Sequence, residues 1–219
     1  MSYFVKVVDG TWNFSPLGYV VLGLIVLLLL FTISFSNHKQ RNNKLLSSKQ
    51  LVFAGVCIAL AVVTSMIKFY HLPAGGSTTL FSMLFVVLVG YFYGIKIGIT
   101  SAIAYGLLQL LIDPYVIGVP QLFCDYILAF GSLGLSGIFT NKKHGLLKGY
   151  LLGVGMRYVF AVLSGFIFFA ESRTGLSALI FSITYNASYI LPEVIITIVI
   201  LFIPAVSGAF TMVKRTALE

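Results

Sequence analysis

Long apolar runs separated by short polar segments make up most of this sequence. Seven such runs are found, at residues 17–35, 51–69, 79–93, 95–112, 122–139, 151–170 and 176–204. An α-helix rises about 1.5 Å per residue, so the first run extends roughly 28 Å, enough to cross the hydrocarbon core of a bilayer. The alternative, a signal peptide, is disfavoured because the run is too long and no A-x-A site follows it. The pattern predicts an all-α membrane protein with seven transmembrane helices.

The composition supports the same fold class. The chain has 219 residues, of which 59% are hydrophobic and 9% charged, and its mean hydropathy is +1.03. The net charge of +8 is compatible with nucleic-acid binding, but the basic residues fall in short loops, which favours a lipid bilayer and no nucleic acid. We divide the chain into an N-terminal segment with an additional transmembrane helix (1–36), a basic linker (37–50) and one core (51–219).

The distribution of Lys and Arg between alternate loops predicts the orientation of the chain. Ten lie on one side, namely four in the linker, Lys96, three in the 141–148 loop and two in the C-terminal tail. Three lie on the other side, Lys6, Lys68 and Arg173. Because Lys and Arg are enriched in cytoplasmic loops, we expect the N-terminus outside and the C-terminus in the cytoplasm.

One acidic residue stands out in the middle of the chain. Asp125 and its neighbour Tyr126 lie among apolar residues at the start of the fifth run, and Tyr115 and Gln121 precede them. A carboxylate at membrane depth costs several kcal/mol unless it is paired, so such a residue marks a functional site. We interpret Asp125 as part of a site for a polar ligand. The alternative is an acid near the membrane surface that caps its own helix.

Four short motifs in the core form a set that matches a known family. They are Gly75-Gly76-Ser77 at the start of a span; Tyr115, Gln121, Asp125 and Tyr126 in that order; Arg157-Tyr158 followed by Gly165 and Phe169; and Phe181 followed by Asn186. In these motifs the sequence from about residue 51 onward resembles the thiamine-specific substrate-binding (S) component of energy-coupling factor (ECF) transporters. The second motif is the most specific of the four.

The resemblance implies a six-helix S-component core, here preceded by the additional helix, in the bacterial cytoplasmic membrane. It implies a pocket near the outer face that binds thiamine or a related pyrimidine-containing vitamin or precursor, with no cofactor and no enzymatic activity. Its partners would be a transmembrane coupling subunit and two ABC ATPases, with docking through Gly55 and Ala59. The chain contains no G-x-x-x-x-G-K-[ST] loop of its own for nucleotide phosphates.

The resemblance also implies the residues that would bind the ligand. Asp125 would accept hydrogen bonds from an exocyclic amine and a ring nitrogen, and Phe169 would stack on the pyrimidine ring. The remaining positions implied in the substrate site are Tyr115, Gln121, Tyr126, Gly165, Phe181 and Asn186. For Gln121, a role at the start of the helix is the stronger interpretation. Interfacial anchoring is the alternative for the two tyrosines.

Two positions depart from the family pattern. Gly76 stands where the pattern has a tryptophan, and Ala161 stands where it has a histidine. These two side chains would flank a thiazolium cation, and a cation–π contact is worth about 0.5–2 kcal/mol. Their loss leaves open an S component for another flat vitamin, such as a riboflavin-like one.

Other functions and other charged residues complete the sequence hypotheses. A stand-alone secondary transporter is the alternative within transport, although no internal repeat is evident. An intramembrane enzyme is disfavoured because neither H-E-x-x-H nor G-x-S-x-G occurs. Arg157 and Glu193 both fall in spans, and three alternatives stay open: each extends its charged end to the membrane interface, the two pair with each other, or they bind a charged ligand group. Cys57 and Cys124 are interpreted as packing residues, with no metal and no disulfide.

Overall fold

The computed structural model describes residues 47–72, 75–169 and 175–219, together with 5–8, 11–14 and positions 16 and 20. The predicted first span at 17–35 and most of the basic linker lie outside the described residues. Near the N-terminus, strands β1 (Val5–Val8) and β2 (Thr11–Phe14) pair in an antiparallel hairpin. Within the rest of the described chain, helices account for most of the structure, and the prediction of an all-α membrane fold is confirmed.

The helices follow the predicted apolar runs. They are α1 (Ser48–Ser65), α2 (Ser82–Tyr93), α3 (Ile95–Ile112), α4 (Val119–Leu122), α5 (Gly145–Phe168), α6 (Gly175–Leu201) and α7 (Pro204–Leu218). α4 continues into a π-helical segment (Phe123–Ala129) and a 3₁₀ segment (Ser132–Phe139). Among the described residues, α1, α3, α5 and α6 are long and apolar enough to cross a membrane, while α2 and the Phe123–Phe139 run are shorter.

A β-hairpin separates α1 from α2 where the sequence predicted only a turn. Strand β3 (Lys68–His71) pairs with β4 (Ser77–Thr79), and His71 lies opposite Ser77. The predicted helical spans at 51–69 and 79–93 are therefore too long, since α1 ends at Ser65 and α2 begins at Ser82. Strands of three or four residues are too short to produce a clear alternating pattern between two apolar runs.

The C-terminal tail is a helix and not merely a short basic segment. The predicted run 176–204 ends at Leu201, and α7 starts at Pro204, which is well suited to the first turn of a helix. Lys214 lies 3.9 Å from the ring centroid of Tyr91 and donates a hydrogen bond to the backbone carbonyl of Thr140. Partial burial lowers the pKa of Lys214. These contacts attach α7 to the ends of the helices before it.

The 3₁₀ segment packs against α3 through glycines. A 3₁₀ helix has about three residues per turn, so Gly131, Gly134 and Gly137 lie on one face. A Cβ atom at Gly134 or Gly137 would collide with the backbone of α3, at Ile99 and Ile95 respectively. The spacing of three between these glycines thus permits the two backbones to touch. This contact positions the end of the preceding π-helical segment, Phe123–Ala129.

Candidate functional site

A cavity of about 390 Å³ lies among the β3–β4 hairpin, α3, the π-helical segment, α5 and α6. Its walls combine aromatic rings with a few polar groups, which is typical of small-molecule sites. All eight positions named for the substrate site line it, namely Tyr115, Gln121, Asp125, Tyr126, Gly165, Phe169, Phe181 and Asn186. The structure therefore brings together residues that are up to 71 positions apart in the chain (186 minus 115). Their contact with a ligand stays a prediction.

Gln121 connects Asp125 to the preceding loop. Its Nε2 donates to Asp125 Oδ2 at 2.6 Å and to the carbonyl of Tyr115 at 3.1 Å, while its Oε1 accepts from the amide of Ile117 at 3.1 Å. Both ends of the amide are thus used, and only 1% of the residue is exposed. Gln121 lies in the short helix α4, in agreement with its interpretation as a residue at the start of the helix. One oxygen of Asp125 is held in place by it.

Tyr126 also forms hydrogen bonds to the loop that precedes α4. Its hydroxyl accepts from the amide of Tyr115 at 2.8 Å and donates to the carbonyl of Asp113 at 3.2 Å. Asp125 and Tyr126 both lie in the π-helical segment, and such segments are frequent at functional sites. The geometry gives Tyr126 a role in holding the loop at the cavity, in addition to any contact with a ligand.

Tyr115 and Phe169 form an aromatic wall of the cavity. Their rings are stacked, with centroids 5.7 Å apart and an interplanar angle of 26°. Gly75 packs against Tyr115 in this wall, since a Cβ there would lie 3.0 Å from Cγ of Tyr115. The stacked pair offers a flat apolar surface to a planar ligand.

The wall formed by α6 is centred on Asn186. Its Nδ2 donates to the carbonyls of Ala161 at 3.2 Å and Ser182 at 2.9 Å, and its Oδ1 accepts from the hydroxyl of Tyr189 at 2.6 Å. The amide therefore joins α5 to α6. Gly165 allows this approach, because a Cβ there would collide with Ser182.

Arg157 and Glu193, whose roles the sequence did not decide, have different environments. Arg157 lines the cavity, and its guanidinium carbon lies 4.3 Å from the ring centroid of Phe130. Glu193 lies outside the residues that line the cavity. The ion pair found among the described residues joins Lys68 to Asp113, so Arg157 and Glu193 do not form the ion pair that was one of the alternatives for them.

Glu193 connects α6 to the β3–β4 hairpin and to α2 through hydrogen bonds. It is 3% exposed, and its carboxylate accepts from Thr79 Oγ1 at 2.7 Å, the amide of Met83 at 3.0 Å and Ser82 Oγ at 3.5 Å. The amide of Met83 belongs to the first turn of α2, where backbone donors lack intrahelical partners. Glu193 thus caps α2 and holds the end of β4, instead of binding a charged ligand group directly.

Several residues of the cavity were not found by sequence reasoning. They include Ser164, Tyr185 and Tyr189, together with Lys68 and Asp113 at the rim. Tyr189 follows Asn186 by three residues and Phe181 by eight, so a helical plot of α6 places all three near one face. A lone serine in an apolar span carries no comparable signal.

The small residues proposed for partner docking lie on the outside of the fold. Gly55 and Ala59 are exposed on α1, and the space beside Gly55 is open to 4 Å. Large apolar side chains surround them on the same helix, namely Leu51, Val52, Val56, Leu60 and Val63. Cys57, in contrast, is buried, and Cys124 is half-buried; both thiols are free.

Comparisons with known proteins agree with this architecture. The thiamine transporter ThiT of Bacillus subtilis (strain 168) is 33% identical over 174 residues, which are 70% of this chain and 90% of that protein. The solved structure of ThiT from Listeria monocytogenes matches with a TM-score of 0.54 at 20% identity, over 77% of this chain and 92% of that one. This second likeness shows a shared fold.

The Bacillus subtilis relative is named as a transporter and not as an enzyme, and several long apolar helices fit a multi-pass membrane protein. The family model described as Thiamine transporter protein (Thia_YuaJ) matches residues 51–212, which includes every residue named for the substrate site. The matched region is also the part of the chain that carries the four sequence motifs. The resemblance inferred from those motifs is confirmed, and the chain belongs to the Thia_YuaJ thiamine transporter family.

Proposed function

We propose that this protein binds thiamine, or a related pyrimidine-containing vitamin or precursor, in the cavity around Asp125 for uptake into the cell. The observation that carries the proposal is the convergence of all eight expected substrate residues on one cavity. A free lone pair on a held carboxylate, a stacked aromatic pair and a buried amide are the groups that a flat aminopyrimidine needs. The names of the relative from Bacillus subtilis and of the family point to the same ligand.

Binding of thiamine is tested by titrating the purified protein in detergent and measuring the heat of binding by calorimetry. Thiamine, its pyrimidine half, its thiazole half and riboflavin are the ligands. Saturable thiamine binding that weakens by about 10- to 100-fold in Asp125→Asn supports the proposal, because a hydrogen bond to a charged group is worth about 1.5–3 kcal/mol. Binding of riboflavin alone would favour the alternative vitamin, and binding of none of the four would contradict the substrate assignment.

We further propose that the protein is the S component of an ECF-type importer. In this proposal it captures the ligand from outside and releases it inside, when two ABC ATPases drive reorientation of the whole subunit against a transmembrane coupling subunit. The exposed Gly55 and Ala59 on α1 support it, because small residues let a partner helix approach closely. Uptake into cells that express the chain with and without such a module distinguishes this from a stand-alone secondary transporter, whose uptake would instead be abolished by ionophores.

The proposed orientation has the β3–β4 hairpin outside and residues 141–144, which precede α5, in the cytoplasm, with the C-terminus on the cytoplasmic side. His71 and His144 are both exposed and lie in these two regions. In a background with Cys57→Ala and Cys124→Ala, labelling of His71→Cys but not of His144→Cys by a membrane-impermeant reagent supports the orientation. The reverse pattern would contradict it.

A further inference from the structure

Three aromatic side chains of α6 line the cavity in a row. They are Phe181, Tyr185 and Tyr189, spaced four residues apart, and residues four apart lie on the same face of a helix. The ring centroids are 5.7 Å apart in the first pair and 6.0 Å apart in the second. All three residues are half-buried, so the row is a wall of the cavity and not part of the packed core.

The last two rings of this row form a corner. The ring planes of Tyr185 and Tyr189 are inclined by 70°, whereas those of Phe181 and Tyr185 are inclined by only 35°. A group placed in the angle between two nearly perpendicular rings contacts the faces of both. Because the face of an aromatic ring is negative, two such faces attract one cation together, as in the aromatic cages that bind quaternary ammonium groups.

Tyr189 is held in this position from two directions. Its hydroxyl donates to Oδ1 of Asn186 at 2.6 Å, and its backbone carbonyl accepts from Oγ1 of Thr78 at 3.0 Å. The first contact fixes the ring within α6, and the second fixes the helix against strand β4. A ring that is already held loses little conformational freedom when a ligand binds, so the corner is preorganised.

The charged groups of the cavity are compatible with a cation in this corner. Asp125 lines the same cavity. The ion pair found in the described part of the chain joins Lys68 to Asp113, so the carboxylate of Asp125 is available to offset the charge of a ligand. A cation of the protein itself already lies on an aromatic face here, since the guanidinium of Arg157 is 4.3 Å from the ring centroid of Phe130.

We propose that Tyr185 and Tyr189 form a specificity-determining corner, in which a positively charged heteroaromatic ring of the ligand contacts the faces of both tyrosines. The inference rests on the proposed function, because the thiazolium ring of thiamine is such a ring. It narrows the ligand class to flat molecules with a permanent positive charge, which disfavours a neutral pyrimidine precursor or a riboflavin-like vitamin. Neither tyrosine belongs to the sequence motifs.

The test compares thiamine with the analogue in which a neutral thiophene ring replaces the thiazolium ring. Calorimetry in detergent gives the ratio of the two dissociation constants, and the wild-type protein should prefer thiamine. In Tyr185→Leu and in Tyr189→Leu this preference should fall by about 3- to 30-fold, which corresponds to the loss of a cation–π contact. Tyr189→Phe should keep the preference within about twofold, because phenylalanine retains the ring face and lacks only the hydroxyl.

Tyr158→Leu is the matched control. Tyr158 lies outside the residues that line the cavity, and its hydroxyl also donates to α6, at the carbonyl of Ile183, so the preference for thiamine should not change. If one of the two corner variants does not fold, the other gives the same comparison, because each removes one face of the corner.

An unchanged preference for thiamine in a folded leucine variant of the corner would overturn the assignment, and so would equal affinity of the wild-type protein for the two ligands. Both outcomes leave thiamine binding established. Failure of the wild-type protein to bind thiamine would instead remove the proposed function and this inference with it, so the two failures are distinguished.

Discussion

The backbone of Gly76 packs directly on the ring of Tyr189. A Cβ atom at position 76 would lie 2.5 Å from Cδ1 and 2.7 Å from Cε1 of that ring. The tyrosine is fixed there, because its hydroxyl donates to Asn186 and its carbonyl accepts from Thr78 Oγ1 at 3.0 Å. The absence of a side chain at position 76, which departs from the family pattern, thus coincides with an aromatic ring that fills the adjacent space from α6.

This contact predicts that Gly76→Ala destabilises the protein and that Tyr189→Ala relieves the effect. Gly76→Ala alone should cost about 1–3 kcal/mol by overpacking, whereas in the Tyr189→Ala background it should cost less than about 0.5 kcal/mol. The measurement is the thermal midpoint of each variant in detergent. Gly155→Ala is the control, since Gly155 lies on α5 with open space around it. Additive effects of the two changes would contradict the steric account.

The hydrogen bonds of Glu193 give a second prediction, which concerns the free energy of unfolding. Glu193→Ala removes the acceptor of Thr79 and of the Met83 amide, which should lower the free energy of unfolding by about 2–3 kcal/mol. Glu193→Gln keeps one acceptor oxygen for the Met83 amide and should retain part of the stability and much of the thiamine affinity. Thermal unfolding and titration together check this.

Exposed Glu219, at the C-terminus, supplies the matched control for that experiment as Glu219→Ala, which should leave the thermal midpoint unchanged. Loss of ligand affinity in Glu193→Gln without any loss of stability would assign Glu193 to ligand binding instead of to the hairpin.

Tyr126→Phe tests whether the hydroxyl holds the loop before the π-helical segment. The change leaves the amide of Tyr115 without its acceptor, and an unpaired buried donor costs about 1–3 kcal/mol. The ligand-free protein should therefore unfold at a lower temperature. Tyr70→Phe, at an exposed position of β3, should have no effect. An unchanged midpoint for ligand-free Tyr126→Phe would mean that the hydroxyl serves the ligand only.

The sequence predicted the cavity through residues whose chemistry conflicts with their surroundings. Asp125 and Asn186 are polar side chains inside apolar runs, so each was recognisable without a structure. Ser164 and Tyr189 were not, because a single hydroxyl or aromatic ring is compatible with ordinary packing in a span. Their role depends on which partner atoms are near, and this is set by the packing of α5 on α6.

Helix ends were predicted less well than helix positions. The predicted run at 51–69 joins α1 to β3 because Met66, Ile67 and Phe69 continue the apolar stretch beyond Ser65. Apolar composition is shared by a membrane helix and a short strand, so hydropathy alone cannot separate them. Hydropathy likewise does not show that the helix after Leu122 continues as a 3₁₀ segment, whose Gly134 and Gly137 contact the backbone of α3.

The exposed small residues on α1 give the last prediction, which separates binding from transport. Gly55→Leu and Ala59→Leu place bulky side chains where a partner helix would approach, so uptake through a coupling subunit should fall by about tenfold or more. Thiamine affinity of the purified protein should not change, because neither residue lines the cavity. Gly155→Leu is the matched control, since it adds the same side chain to an exposed glycine of α5 with open space around it. Normal uptake in both α1 variants would show that the partner approaches elsewhere, whereas a parallel loss of affinity and uptake would indicate a change within the core.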